Sequence, residues 1–254
     1  MKIYPIILLQ AIFLTTLFSL HQPANAQIGS YEPGINQENP TGRNNSRVPL
    51  KLGLKIAPNL AWMNPSTKDY SSDGVRLGTT IGLVGDIYFA DQYAISTGFN
   101  FIFLNGKLSY RDSRLIHDDT VVNGQVSRKY NFLYLEIPVM IKMSTRKFGR
   151  FSFFGQVGLG TGFRVKATVK EHFEPDSGEA LDQKYDYDSG TTLIRESILV
   201  GIGSQFHLDK STMLFFGMNY SNSLNNILTG VNSLSKSNEK SMFNYVELNL
   251  GVLF

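Results

Sequence analysis

Five charged residues, Lys55, Asp86, Glu136, Arg195 and Glu247, stand in stretches where alternate residues are apolar, and each falls between the apolar ones. Two cations and three anions on the non-oily side of strands suit structural chemistry. Removed from water, each requires an opposite partner or trapped water to offset its desolvation. Lys55 and Glu247 occupy comparable depths in the first and last alternating segments, so an ion pair across that seam is predicted. Glu136 is expected to join it or to contact Arg195.

The elements that must hold these groups are strands. Eight alternating segments run over Leu50–Trp62, Arg76–Phe89, Tyr93–Asn105, Lys129–Met143, Arg150–Ala167, Thr191–Leu208, Thr212–Ser221 and Met242–Phe254. Each carries a continuous apolar face, such as Leu50, Leu52, Leu54 and Ile56, or Leu133, Leu135, Ile137, Val139 and Ile141. The opposite face holds glycines (Gly158, Gly160, Gly162, Gly201, Gly203), aromatics (Tyr88, Tyr130, Tyr134, Phe154, Phe215, Tyr245) and the isolated charges. Connections alternate in length. Those at 90–92, 144–149 and 209–211 are short, whereas 63–75, 106–128, 168–190 and 222–241 read as long loops.

That arrangement predicts an all-β fold, an eight-stranded antiparallel up-and-down transmembrane β-barrel with a filled lumen. Short turns then face the periplasm and long loops the exterior. A soluble eight-stranded barrel would place its oily face inward and disperse charge outside. The opposite distribution here favours a lipid-facing oily surface. Aromatics are expected to ring both interfaces, with Phe89, Tyr93, Phe151, Phe206 and Phe254 at the periplasmic edge and Trp62, Phe103, Phe163 and Tyr220 at the external edge. Eight strands enclose only enough space for side chains, so a solute-conducting channel is not expected.

The amino-terminal segment agrees with export. Lys2, a mostly apolar Ile6–Leu20 and the small residues Ala24-Asn25-Ala26 read as a signal peptide over 1–26. Residues 27–49, rich in Pro and Asn without apolar periodicity, read as a flexible periplasmic tail ahead of the barrel domain at 50–254. The chain has no cysteine, which excludes an acylated-cysteine lipoprotein and any disulfide. Its 24 basic and 21 acidic residues are nearly balanced, which argues against a nucleic-acid partner.

Candidates for reactive chemistry are sparse. His117 and His172 fall in predicted external loops, and His207 at a periplasmic strand end. Ser109 or Ser113 beside His117 could imitate an outer-membrane lipid hydrolase, but nothing gathers a base, an orienting acid and an oxyanion donor. Residues 168–190 are acidic, and Asp186-Tyr187-Asp188 could take calcium. The spacing lacks the twelve-residue calcium-loop pattern and reads as a solvated surface. No catalytic, metal-binding or cofactor-binding residue is assigned, and no enzyme or cofactor is expected.

Tyr134-Leu135-Glu136-Ile137-Pro138, followed by Lys142, resembles the central signature of the PorT-like family of outer-membrane β-barrels. Gly53-Leu54-Lys55 with Pro58-Asn59, and Ser96-Thr97-Gly98-Phe99, are similar to that family's flanking pattern. The resemblance covers about Leu50 to Phe254. It implies an integral barrel of the bacterial outer membrane, in contact with outer-membrane lipid. It also implies insertion by the barrel-assembly machinery reading a closing strand that ends on Phe254. Because the founding member is linked to type IX protein secretion, an accessory role there, with secretion or surface protein partners, is the alternative to a structural or interaction role. A lipid-modifying enzyme is the third reading. Pro138 lacks an amide donor, so a bulge or strand end is expected nearby.

Overall fold

The computed structural model describes residues 50–116, 120–209 and 211–254. The leader at 1–26, the tail at 27–49 and His117 lie outside the described residues. Ten strands follow in order: β1 (Leu50–Pro65), β2 (Ser71–Ser72), β3 (Arg76–Ala90), β4 (Tyr93–Ile116), β5 (Thr120–Ser144), β6 (Phe151–Pro175), β7 (Leu181–Asp186), β8 (Ile194–His207), β9 (Met213–Ser223) and β10 (Ser241–Leu253). All pairings between them are antiparallel.

Eight of these strands close a ring in the order β4-β3-β1-β10-β9-β8-β6-β5, with β5 returning to β4; β2 adds to β4 and β7 to β6. The seam joins β1 to β10 from Gly53 opposite Leu253 to Pro65 opposite Ser241. Beyond the ladder, Phe254 N donates to Leu52 O at 2.8 Å and Leu52 N to Phe254 O at 3.0 Å. A period of two divides every wall strand between its faces. On β1, Lys55, Ala57, Asn59 and Ala61 are buried, whereas Leu54 and Ile56 remain more than half exposed. Leu83, Phe101, Ile141, Val157, Ile202 and Leu250 continue this oily outer belt. An exposed apolar surface that encircles the whole wall needs a nonaqueous neighbour.

Two long segments expected to be loops are strand instead. The β4–β5 hairpin keeps one register from Phe103 opposite Leu133 to Ile116 opposite Thr120, and β6 continues to Pro175 before β7 folds back on it. The physical reason is an inversion outside the barrel. Leu108, Tyr110 and Val126 still point inward and are buried, but their outward neighbours are Lys107, Ser109 and Arg111 rather than aliphatic residues. Alternation persists after the oily outer stripe has ended.

Pro138 sits within β5 opposite Gly160, not at a strand end. The β4 ladder lacks paired positions at Gly98 and Phe99 and resumes in the same register at Asn100 opposite Glu136. Gly98 has φ +151°, which a side chain would strain, and Thr97 Oγ1 donates to Pro138 O at 2.8 Å. The proline is thus accommodated by a gap in its neighbour's pairing. The register shift in β5 lies farther along, between Leu133 and Tyr134 opposite Lys166 and Arg164.

Candidate functional site in the barrel lumen

The inward faces converge on three ion pairs. At the seam, Lys55 Nζ lies 3.0 Å from Glu247 Oε1 and donates to Asn249 Oδ1 at 3.2 Å. Asn219 Nδ2 from β9 donates to the same carboxylate at 3.0 Å, and Gln156 Nε2 from β6 donates to Asn219 Oδ1 at 2.9 Å. Gly201 leaves room for this chain of contacts, since a Cβ there would overlap Asn219 Oδ1. Lys55 and Glu247 are offset along the seam, because Lys55 pairs with Gly251 and Asn59 with Glu247. A long lysine stem bridges that offset.

Arg195 Nη1 on β8 lies 3.2 Å from Glu136 Oε2 on β5. Its Nε donates to Ser223 Oγ and its Nη2 to Ser221 Oγ, both at 2.8 Å, while the guanidinium lies 5.2 Å from the Tyr245 ring centroid. Neither Arg195 nor Glu136 is more than 1% exposed. Hydrogen bonds to the charged forms are what make such burial tolerable. Asp86 does not join either pair. It accepts from Lys142 Nζ at 2.6 Å, with the ammonium 4.5 Å from the Phe154 ring centroid.

The five residues singled out from sequence therefore all lie in the lumen, where Lys55 meets Glu247 and Glu136 meets Arg195. Lys142 stands between the apolar Ile141 and Met143, so alternation alone puts it on the inward face, but one strand does not show Asp86 as its partner. Connecting them requires the register across the intervening β4, which one-strand periodicity does not contain. A cavity of about 50 Å³ borders Lys55, Glu136 and Glu247. It is large enough to admit water beside these charges.

A fourth cluster, farther along the lumen, lies on residues read from sequence as loops. Arg128 on β5 contacts Glu171 through Nε and Glu239 Oε1 through Nη1, the latter at 3.1 Å. Its guanidinium lies between the rings of Tyr110 and Tyr187, 5.4 and 5.3 Å from their centroids. Arg114 Nη2 reaches Glu171 Oε1 at 2.9 Å. Tyr187 OH donates to Glu239 Oε2 at 3.0 Å; burial, reinforced by that carboxylate, raises its phenol to about 12 and keeps the proton in place. The segment 224–240 covers this end. Asn232 Nδ2 donates to Arg111 O at 2.9 Å, while the amides of Ser233 and Leu234 donate to Asp112 Oδ1 at 2.8 and 3.1 Å.

Potentially reactive side chains occur as separate pairs. Ser109 Oγ donates to Asp73 Oδ2 at 2.6 Å. Ser152 Oγ lies 3.0 Å from His207 Nε2 near the turn end. His172 Nδ1 lies 2.8 Å from Asp182 Oδ1, and Ser127 occupies the same sheet rung, yet no hydrogen bond links Ser127 to His172 among the described residues. The acidic stretch 168–190 folds largely as strand, with Asp188 Oδ1 3.4 Å from Arg164 Nε and Asp186 Oδ1 4.0 Å from Lys166 Nζ. Among the described residues, no three His, Asp or Glu side chains gather as a metal-binding group.

An oily ring around a charged, packed lumen defines the class: an eight-stranded β-barrel of the bacterial outer membrane. Residues 26–229 match the family described as outer membrane protein beta-barrel domain, and the chain belongs to that family. No curated protein matches it. Among solved structures it is similar to Neisserial surface protein A, at 9% identity over 81% of this chain and 97% of that one, with TM-score 0.41. It is also similar to OprG from Pseudomonas aeruginosa, at 13% identity over 80% and 95%, with TM-score 0.36. A third is Ail of Yersinia pestis in complex with the heparin analogue sucrose octasulfate, at 13% identity over 81% and 99%, with TM-score 0.33.

Proposed function

We propose that this barrel has a structural or interaction role and conducts no solute. The observation that carries this reading is a lumen packed with buried ion pairs, Lys55–Glu247 along the seam and Arg195–Glu136 over the intervening β6, beneath an external end covered by 224–240. Opening a path would separate buried opposite charges, each of which then faces a desolvation penalty of several kcal/mol. This reading assigns the barrel no enzymatic activity.

On this reading, residues 1–26 direct export, outer-membrane lipid surrounds the belt, and the barrel-assembly machinery inserts the chain. The resemblance of Tyr134–Pro138 to the central signature of PorT-like barrels supports kinship with them. The β4–β5 and β6–β7 extensions are the surfaces offered to protein partners. Planar-bilayer recording of the purified full chain tests the sealed lumen. No unitary current steps are expected, and reproducible steps of fixed size would overturn it. Detergent pull-down distinguishes a self-standing barrel from an accessory of type IX secretion by whether secretion components co-purify. A phospholipid-hydrolysis assay on the same sample would reveal a lipid-modifying enzyme.

A further inference from the structure

Four lysines occupy one rung of the external sheet. Lys107 on β4 faces Lys129 on β5, Lys129 faces Lys170 on β6, and Lys170 faces Lys184 on β7. Their sequence neighbours Arg128 and Glu171 belong to the internal cluster described above, and Tyr185 OH donates to Glu171 Oε2 at 2.8 Å, so alternation sends the lysines outward. Lys107 is held by Asp73 at 2.6 Å. Among the described residues, no carboxylate lies within salt-bridge distance of the exposed Lys129, Lys170 or Lys184.

The nearby acids are otherwise engaged or displaced. Glu171 turns inward to Arg128 and Arg114, Asp182 contacts His172, Asp186 lies toward Lys166, and Glu174 is four residues beyond Lys170. Like charges placed directly across neighbouring strands oppose pairing. Three in one row call for a counter-anion from outside the chain. A depression of about 360 Å³ is lined by these three lysines with Ser127, Glu171, His172, Asp182 and Gln183, the Glu171 carboxylate being held by Arg128 and Arg114 and that of Asp182 by His172.

Depth indicates the source of that anion. Lys107 lies four residues beyond the outward Phe103, and Lys129 four beyond Leu133, the residue paired with Phe103. Strand rise and barrel tilt put the rung roughly 10 Å beyond this aromatic level. That is the headgroup region, where lysines attract anionic lipid. We propose that Lys129, Lys170 and Lys184 form a binding site for phosphate groups on outer-leaflet lipid headgroups.

The test uses full-length protein folded in phosphatidylcholine nanodiscs, titrated with bisphosphorylated lipid A or its dephosphorylated form and followed by native mass spectrometry. Preference for the phosphorylated form is expected. K129Q/K170Q/K184Q should lower that retention by roughly a hundredfold, or about fivefold per lysine. K68Q/K147Q/K236Q removes as much charge elsewhere and should leave it unchanged. The heat-dependent gel shift of a folded barrel establishes folding of each variant. Equal retention of both lipid forms, unchanged retention by the first triple variant, or an equal loss in the second would overturn the site. So would complete displacement of lipid A by millimolar inorganic phosphate, which would identify a soluble anion as the ligand.

Discussion

The membrane-embedded and external halves of this wall have similar interiors and opposite exteriors. Below the external aromatic ring, Arg195–Glu136 and Lys55–Glu247 face inward while Leu54, Leu83 and Leu250 face outward. Above it, Arg128 holds Glu171 and Glu239 inside, but Lys107, Lys129 and Lys170 occupy the outer surface. Inward charge therefore carries no information about membrane depth. The outer face locates the bilayer.

Removing one cation from each half gives the largest contrast. Arg195→Met strands Glu136 in the buried interior and should destabilise the barrel by about 3–5 kcal/mol. Arg128→Met should cost about 1–3 kcal/mol. Glu171 keeps Arg114, and Glu239 keeps its donors Tyr70 and Tyr187. Reversible urea unfolding in lipid vesicles measures both; equal losses would show that the partners left to Glu171 and Glu239 give them no more support than Glu136 has.

The exteriors are separated by adding a charge to each. Leu250→Arg places a cation on the mid-wall oily face and should cost about 2–4 kcal/mol. Asn131→Arg, on an exposed outward position of the extension, should remain within about 0.5 kcal/mol of the parent. Comparable folding free energies for the two variants would remove Leu250 from the lipid face.

The smallest effect belongs to the turn between β8 and β9. Asp209 accepts from the amides of Thr212 at 2.7 Å and Ser211 at 2.8 Å, and these bonds, with that from the Ser211 hydroxyl, lower its carboxyl to about 2. Its folded pKa is depressed, so its contribution is present above the ordinary carboxylate range and is lost as pH falls toward 2. An NMR titration should place Asp209 near 2. A midpoint near 4 would show that the turn does not hold the carboxylate.

The oily outer positions made the membrane half legible from sequence. Leu50, Leu52, Leu54 and Ile56 alternate with Lys51, Gly53 and Lys55, and one strand is enough to display that pattern. The Lys55–Glu247 contact could also be anticipated, because closing an up-and-down barrel brings its first and last strands together. The external half was harder to read. In 106–116, polar residues outside alternate with Leu108 and Tyr110 inside, so apolar density falls although the strand continues. Arg128, Glu171 and Glu239 meet only through register and loop folding. The lysine rung is legible only once four strands are aligned.

The boundary between the halves is tested most directly by Trp62, the chain's single tryptophan, on the outer face near the end of β1 and 6.3 Å from the Tyr220 ring. In vesicles containing lipids brominated at defined acyl depths, its fluorescence should be quenched most by the shallowest label, as expected of an interfacial indole. Strongest quenching by labels near the bilayer centre, or no quenching at any depth, would contradict a membrane edge at the external aromatic ring.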